Sequence, residues 1–319
     1  MTALATSPLR TLRIIAADIK IAHSVFAMPF ALLAAFMAAV PPLGFVCGFA
    51  TPITPSQQVR DVNLPGKLGL IVVAMILART VAMLTNRLLD SRIDKDNPRT
   101  SGRAIPNGQL TVQTVLLAVI SCSLGFLLVS TGFGYFYQNW WPLWLSTPLL
   151  LWVGVYPLFK RFTWTCHIYL GSSLALSPLA AALAIDPIAL RLQTSLFFLS
   201  GMVLCWVAGF DIIYALQDVE IDRAQNLHSI PARLGITNAL WISRGLHALS
   251  VACLVACLLI DPRFHILFGV SVIIVAALLI YEHLTVARWG TTRIALAFFT
   301  LNGIISCVLG ALGILDVFM

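Results

Sequence analysis

Charge is what this chain has least of. Only 10% of its 319 residues are Asp, Glu, Lys or Arg, where a soluble domain carries about a quarter, and 59% are hydrophobic. The polar surface that would keep such a chain in water is missing, so lipid is its main solvent. Also missing are the short alternating segments of membrane β-barrels. The apolar runs are too long and uniform for strands, which leaves helices, whose backbone groups are satisfied internally. The seven cysteines (Cys47, Cys122, Cys166, Cys205, Cys253, Cys257 and Cys307) contain no Cys-x-x-Cys pair and no metal-finger spacing. They lie mostly in apolar runs and read as small core residues. The net charge of +7 comes without a dense basic tract, which argues against a nucleic-acid partner. No small-residue cleavage site follows the first apolar run, so a retained helix is expected there rather than a signal peptide.

What the sequence does hold is about nine apolar stretches, each near the roughly 20 residues that cross a bilayer. They fall near 18–40, 67–88, 110–131, 141–158, 164–186, 192–216, 235–260, 264–286 and 292–315. One integral membrane domain over residues 1–319 is the expected organisation. Thirteen Lys and Arg residues fall in breaks on the side of the N-terminus, and only Arg60, Lys67, Arg191 and Arg263 on the other. Basic residues in short loops stay inside, so the N-terminus is expected in the cytoplasm of a prokaryotic cell and the chain in its inner membrane.

Three breaks between these stretches stand out. Residues 41–66 are rich in Pro and Thr and read as an extracytoplasmic loop with no chemistry of their own. Residues 86–109 and 211–235 are different, because they hold seven of the thirteen acidic residues and both fall on the cytoplasmic side. Asn86, Asp90 and Asp94 in the first repeat the spacing of Tyr214, Asp218 and Asp222 in the second, 128 residues later. A divergent internal repeat would bring the two acidic helix ends face to face.

In NRLLDSRID, Asn86, Asp90 and Asp94 are four residues apart, so on a helix each turns about 40° from the last and rises ~6 Å. In DIIYALQDVEID, Asp211, Asp218 and Asp222 share one face in the same way, beside Tyr214. Two facing stripes of oxygen ligands suit Mg²⁺, which takes one or two carboxylates together with phosphate oxygens, whereas zinc would call for His or Cys. Arg87, Arg92, Arg99 and Arg103 flank the first motif, the last two in the run NPRTSGRAIPNG. Carboxylates for a metal beside arginines for phosphate make a diphosphate site. Tyr156 and Lys160, four apart near the end of the fourth stretch, extend it: Lys160 toward the same phosphates and Tyr156 deeper.

Plainer roles compete for these residues. Arg99, Arg103, Lys160 and Arg161 also fit ordinary positive-inside topology, and Tyr156 and Tyr214 also fit an interfacial aromatic belt. Arg79, seven residues before Asn86, lies on the same face about 10 Å deeper. It either pairs with a motif aspartate or binds an anionic group of a substrate. His23, Ser24, His167 and Asn302 read as structural hydrogen bonders.

The two acidic segments resemble the paired Asn-x-x-x-Asp-x-x-x-Asp and Asp-x-x-x-Asp signatures of the UbiA-type intramembrane prenyltransferases. Arg99, Thr100, Arg103 and Pro106, the segment LHSIPARLG, KIAHSVFAMPFA in the first stretch and YPLFKRFTWTCH after the fourth are similar to that family as well. The resemblance covers nearly the whole chain. It implies an all-α protein of about nine transmembrane helices around a central cavity, with a cap over the cytoplasmic mouth. It further implies Mg²⁺-dependent ionisation of a polyprenyl diphosphate and attack of an electron-rich ring on the allylic cation. The family's pattern assigns the metal to Asn86, Asp90, Asp94, Asp211, Asp218 and Asp222, and the diphosphate to Arg99, Arg103 and Lys160. Asp90, Asp218 and Lys160 are the catalytic candidates, Tyr156 and Tyr214 offer ring faces to the cation, and Arg79 or Arg103 suits the acceptor's carboxylate. Asn-Arg in the first motif and Tyr-Ala-x-Gln-Asp in the second are most similar to the branch that acts on 4-hydroxybenzoate. The branch acting on 1,4-dihydroxy-6-naphthoate is the alternative. A secondary transporter also carries intramembrane acids and repeats, but here the acids cluster at helix ends beside arginine-rich loops, and no Gly/Pro-broken pair of spans occurs.

Overall fold

The computed structural model describes residues 7–20, 26–40, 63–294 and 296–319. The 41–62 part of the Pro-rich loop, His23, Ser24 and Cys47 lie outside these residues. Every regular element among the described residues is helical. Long uniformly apolar runs, whose backbone groups lipid leaves to pair internally, produce α3 (Leu64–Leu89), α5 (Val112–Tyr137), α6 (Trp141–Phe159), α7 (Cys166–Ile185), α9 (Ser195–Ala215), α12 (Ile236–Ile260), α13 (Ile266–Trp289) and α14 (Asn302–Val317). Among the described residues, eight helical segments built on these helices are long and apolar enough to cross a membrane. In place of the expected first span the chain forms two helices, α1 (Pro8–Asp18) and α2 (Met28–Ala39). The second is a 12-residue apolar helix. Short helices α4 (Ser91–Asp96), α10 (Val219–Ala224) and α11 (Ile230–Leu234) sit at the motif end, and α8 (Ala189–Leu192) joins α7 to α9.

α9 is the centre of the bundle. In its most apolar window 72% of the residues are buried, against 11% for α5, so α5 presents its side chains to lipid and α9 to protein. α9 packs on α7 and α12, α2 fills the space against α7 and α14, and α3 pairs with α5. Lipid gives little hydrophobic drive between helices, so close backbone approach and polar bridges hold them. Gly171 of α7 is one such approach, since a Cβ there would stand 2.4 Å from the backbone oxygen of Leu204 on α9. Gly171→Ala is expected to cost about 1–3 kcal/mol through overpacking, seen as a lower melting temperature in detergent or nanodiscs. An unchanged melting temperature would show that the two backbones separate freely.

Polar bridges complete the frame. Trp206 Nε1 donates to Asn302 Oδ1 at 2.7 Å, and Asn302 Nδ2 donates to the buried Glu282 at 3.3 Å, linking α9, α14 and α13. At the end opposite the motifs, Arg263 donates to the carbonyl of Met37 at 2.6 Å, to Gln193 Oε1 at 3.0 Å and to Asp261 Oδ2 at 2.6 Å. Burial works against the Asp261 charge, but Arg263 outweighs it and holds the carboxyl below the usual aspartate range. The six described cysteines are all unpaired.

Candidate active site

Both acidic motifs sit where a long helix breaks. α3 ends at Leu89, Asp90 has φ −93° and ψ 3°, and α4 begins at Ser91. The amide of Asp90 still donates to the Asn86 carbonyl at 2.9 Å and that of Asp94 to the Asp90 carbonyl at 2.8 Å. α9 tightens into a 3₁₀ turn over Leu216–Asp218, Asp218 has φ −109° and ψ 5°, and α10 follows. The central aspartate of each motif therefore occupies the same sparsely populated bridge conformation, 128 positions apart. The uninterrupted helical stripe expected from the spacing is broken at its middle member in both cases. Backbone torsion at the break, and not helical periodicity alone, aims Asp90 and Asp218.

These breaks open on a cavity of about 1410 Å³. Asn86, Asp90, Asp94, Asp211, Asp218 and Asp222 all line it, as do Arg79, Arg99, Arg103, Tyr156, Lys160 and Tyr214. Every residue singled out for the site from the sequence is thus brought to one chamber. Its walls away from the motifs are apolar, with Ile71, Phe133, Leu149, Leu174, Val207 and Phe210 among them, and it reaches Pro142 and Leu190 near the other end of α6 and α7.

Inside the mouth, most of the carboxylates have cationic or histidine partners. Lys160 Nζ is 2.7 Å from Asp90 Oδ2 and Arg161 is 3.4 Å from Oδ1, while Asn86 Nδ2 donates to Asp90 at 3.0 Å. Arg103 donates to both oxygens of Asp94 at 2.6 Å. Arg99 forks onto Asp218, its Nε at 2.9 Å, and Asn97 Nδ2 donates to the same carboxylate at 3.0 Å. The loop of the first motif thereby reaches the acid of the second. The backbone amide of His228, in the loop of the second motif, donates to the Lys160 carbonyl at 2.6 Å. Burial opposes the Arg99 charge, but its bonds to Asp218 prevail and raise its pKa above that of ordinary arginine. The guanidinium also donates to Tyr214 Oη at 3.0 Å and lies 5.2 Å from the centre of that ring.

Asp211 pairs differently, with His167 Nδ1 at 2.7 Å. The Ile230 amide approaches His167 Nε2 at 3.3 Å, so the ring bridges Asp211 and the start of α11. Asp222 is buried. Arg79 does not pair with a motif aspartate: its guanidinium donates to the carbonyls of Ile19 at 3.4 Å and Lys20 at 3.3 Å. The buried Arg87 instead has an acid, Asp18, at 3.0 Å, and Asp18 also accepts the Ala104 amide at 2.9 Å.

Asp18, Asn97, Arg161 and His167 complete the site without having been assigned to it from the sequence, and Arg87, read there as a flanking arginine, serves Asp18. Asp18 lies outside both motifs, on a helix whose basic residues read as topology signals. His167 follows the YPLF-Lys-Arg segment, and only its contact with Asp211 shows what it serves.

The donor set fits a hard divalent cation. All six candidate metal residues offer oxygen, and no cluster of three His, Cys, Asp or Glu side chains is preassembled among the described residues. Mg²⁺ needs one or two carboxylates and completes its shell from phosphate and water, so the arrangement suits a metal that arrives with a phosphorylated ligand.

A family model described as the UbiA prenyltransferase family matches residues 56–304. Over 217 residues the chain is 29% identical to a 4-hydroxybenzoate octaprenyltransferase of Hahella chejuensis, covering 67% of this chain and 68% of that protein. It is 27% identical over 225 residues to a protein of the same name from Pectobacterium atrosepticum, covering 70% and 74%. The apo structure of a UbiA homolog from Aeropyrum pernix K1 matches with a TM-score of 0.77 at 27% identity, over 93% of this chain and 98% of that one. A UbiA homolog from Archaeoglobus fulgidus bound to GPP and Mg²⁺ shares the fold, with a TM-score of 0.65 at 18% identity over 96% and 100%. With both motifs inside the matched stretch and lining one intramembrane cavity, the chain belongs to the UbiA prenyltransferase family and is a membrane-embedded prenyl transferase.

Proposed function

We propose that the enzyme moves a polyprenyl group from its diphosphate to 4-hydroxybenzoate, with the motif end of the bundle in the cytoplasm of a prokaryotic cell. The observation that carries this reading is the pairing of Lys160, Arg99 and Arg103 with three motif aspartates at the polar end of an apolar chamber. Relatives named 4-hydroxybenzoate octaprenyltransferase and a neighbour bound to GPP and Mg²⁺ support the substrate classes. The apolar wall takes the isoprenoid tail. Arg99, Arg103 and Lys160 turn from carboxylates to the diphosphate and stabilise it as leaving group. Asn86, Asp90, Asp94, Asp211, Asp218 and Asp222 would hold Mg²⁺, which when bound supplies Lewis-acid neutralisation of the diphosphate oxygens. Tyr214 already carries a cation over its ring in Arg99, and with Tyr156 it offers aromatic faces to the allylic cation.

Arg79 is the anchor for the acceptor's carboxylate. Its bonds to Ile19 and Lys20 are long, and a guanidinium has five N–H donors, so it can serve α1 and a ligand together. Arg79→Leu is expected to raise the acceptor KM about 10- to 150-fold, the loss of a charge-assisted hydrogen bond, with the donor KM unchanged. An equal rise in both constants would remove Arg79 from the acceptor site. The function itself is tested with purified protein in lipid nanodiscs, polyprenyl diphosphate, Mg²⁺, and 4-hydroxybenzoate and 1,4-dihydroxy-6-naphthoate in competition. Ring-prenylated 4-hydroxybenzoate is the expected product; prenylated naphthoate alone would move the enzyme to the other branch.

A further inference from the structure

We propose that Lys20 is the residue on which the donor's diphosphate first docks, ahead of the three cations that must leave their aspartates to bind it. This rests on the diphosphate reading above and names a residue that neither acidic motif contains. Lys20 lines the cavity, and its ammonium lies 4.8 Å from the centre of the Phe299 ring, another lining residue.

The backbone that presents Lys20 is unusual. Its φ of 49° is left-handed, a conformation that a side chain such as lysine rarely adopts. Three successive carbonyls hold it there: that of Asp18 accepts from Arg87 at 3.0 Å, and those of Ile19 and Lys20 accept from Arg79. Two arginines of α3 thus grip the chain just past α1, where Lys20, two residues beyond the helix, lines the chamber.

The charges around Lys20 complete the case. Partial burial, then the positive charges of Arg87, Arg103 and Arg99, hold its ammonium below the usual lysine pKa. Each of those arginines has an acid: Asp18, Asp94 and Asp218 respectively. Lys20 has none within ion-pair distance among the described residues. An arriving diphosphate relieves the repulsion at Lys20 without breaking a salt bridge, whereas binding at Arg99, Arg103 or Lys160 requires an exchange of partners. Lys20 therefore contributes to donor binding more than to the chemical step.

Lys20→Asn is the test, because asparagine tolerates the left-handed backbone and removes the charge. The donor KM is expected to rise at least about tenfold, with kcat and the acceptor KM within about threefold of wild type and most of the loss recovered in Lys20→Arg. Inorganic pyrophosphate binding by calorimetry in EDTA is expected to weaken by a similar factor. That measurement reads the docking residue even if no prenyl transfer is detected with any acceptor, so the two proposals fail separately. Unchanged pyrophosphate affinity in Lys20→Asn overturns the assignment. So does an equal loss in Arg10→Asn, an exposed position on α1, since net charge at the mouth would then account for the effect.

Discussion

Asp218→Ala is expected to lower prenyl transfer on the order of a thousandfold, the scale of removing a preorganised electrostatic group from a reaction centre, while the protein still inserts and folds. Asp218 gathers Arg99 and Asn97 from the first motif's loop, so its removal disorders the diphosphate cations as well as deleting a metal oxygen. Asp90→Ala is expected to match it, because Asp90 occupies the equivalent helix break and gathers Lys160, Arg161 and Asn86. The isosteric Asp218→Asn separates charge from shape. If the asparagine variant turns over at the wild-type rate, the carboxylate has no role in the chemistry. Asp96→Ala, at an exposed acid one turn from the site, is the control and is expected to stay within twofold. Size-exclusion profiles and melting temperatures of all four variants establish that the losses are not losses of fold.

Removing divalent cations is the second large effect. EDTA is expected to reduce turnover to background, and Mg²⁺ in excess to restore it. The reason lies in the charge balance of the mouth, where Asp90, Asp94 and Asp218 are neutralised by Lys160, Arg161, Arg103 and Arg99. A diphosphate that draws those cations to itself leaves three carboxylates without counter-charge beside an apolar chamber, where uncompensated charge is costly. A divalent cation resolves this by binding carboxylates and phosphate together. Full activity in EDTA would falsify the metal assignment and leave the acids as partners of the basic residues only.

Much of this was legible in the sequence because lipid imposes a coarse rule. Seven of the spans, from α3 through α13, lie within about six residues of the apolar runs that mark them, since hydropathy is what decides where a helix crosses. The beginning of the chain was less legible. Pro8 and the Ser7 side chain, which accepts the Arg10 amide at 3.4 Å, start a separate helix, but its Arg10 and Arg13 carry the same signal as any inside loop. Ile15 and Ile19 of that segment pack with Leu84, Ala104, Leu110 and Val115, a tertiary contact that no local pattern announces. The last span also begins later than its hydropathy suggests, because the helix over Leu296–Leu301 is a wider π turn and α14 starts at Asn302.

The site residues were legible as a set and illegible as pairs. Spacing of four marks Asn86, Asp90 and Asp94 as neighbours on a helix, yet says nothing of Lys160 reaching Asp90 from 70 residues away. Arg79 illustrates the limit well: its depth and face were readable, while its partners, the carbonyls at the end of α1, depend on where that helix stops.

The two helix breaks also bear on how the halves of the chain depend on each other. Arg99 belongs to the first half and neutralises an acid of the second. In return, the His228 amide of the second half fixes the backbone of Lys160, which neutralises an acid of the first. The two breaks therefore lean on contacts that cross between the motifs, and damage to the first motif's loop reaches Asp218 through Arg99 and Asn97.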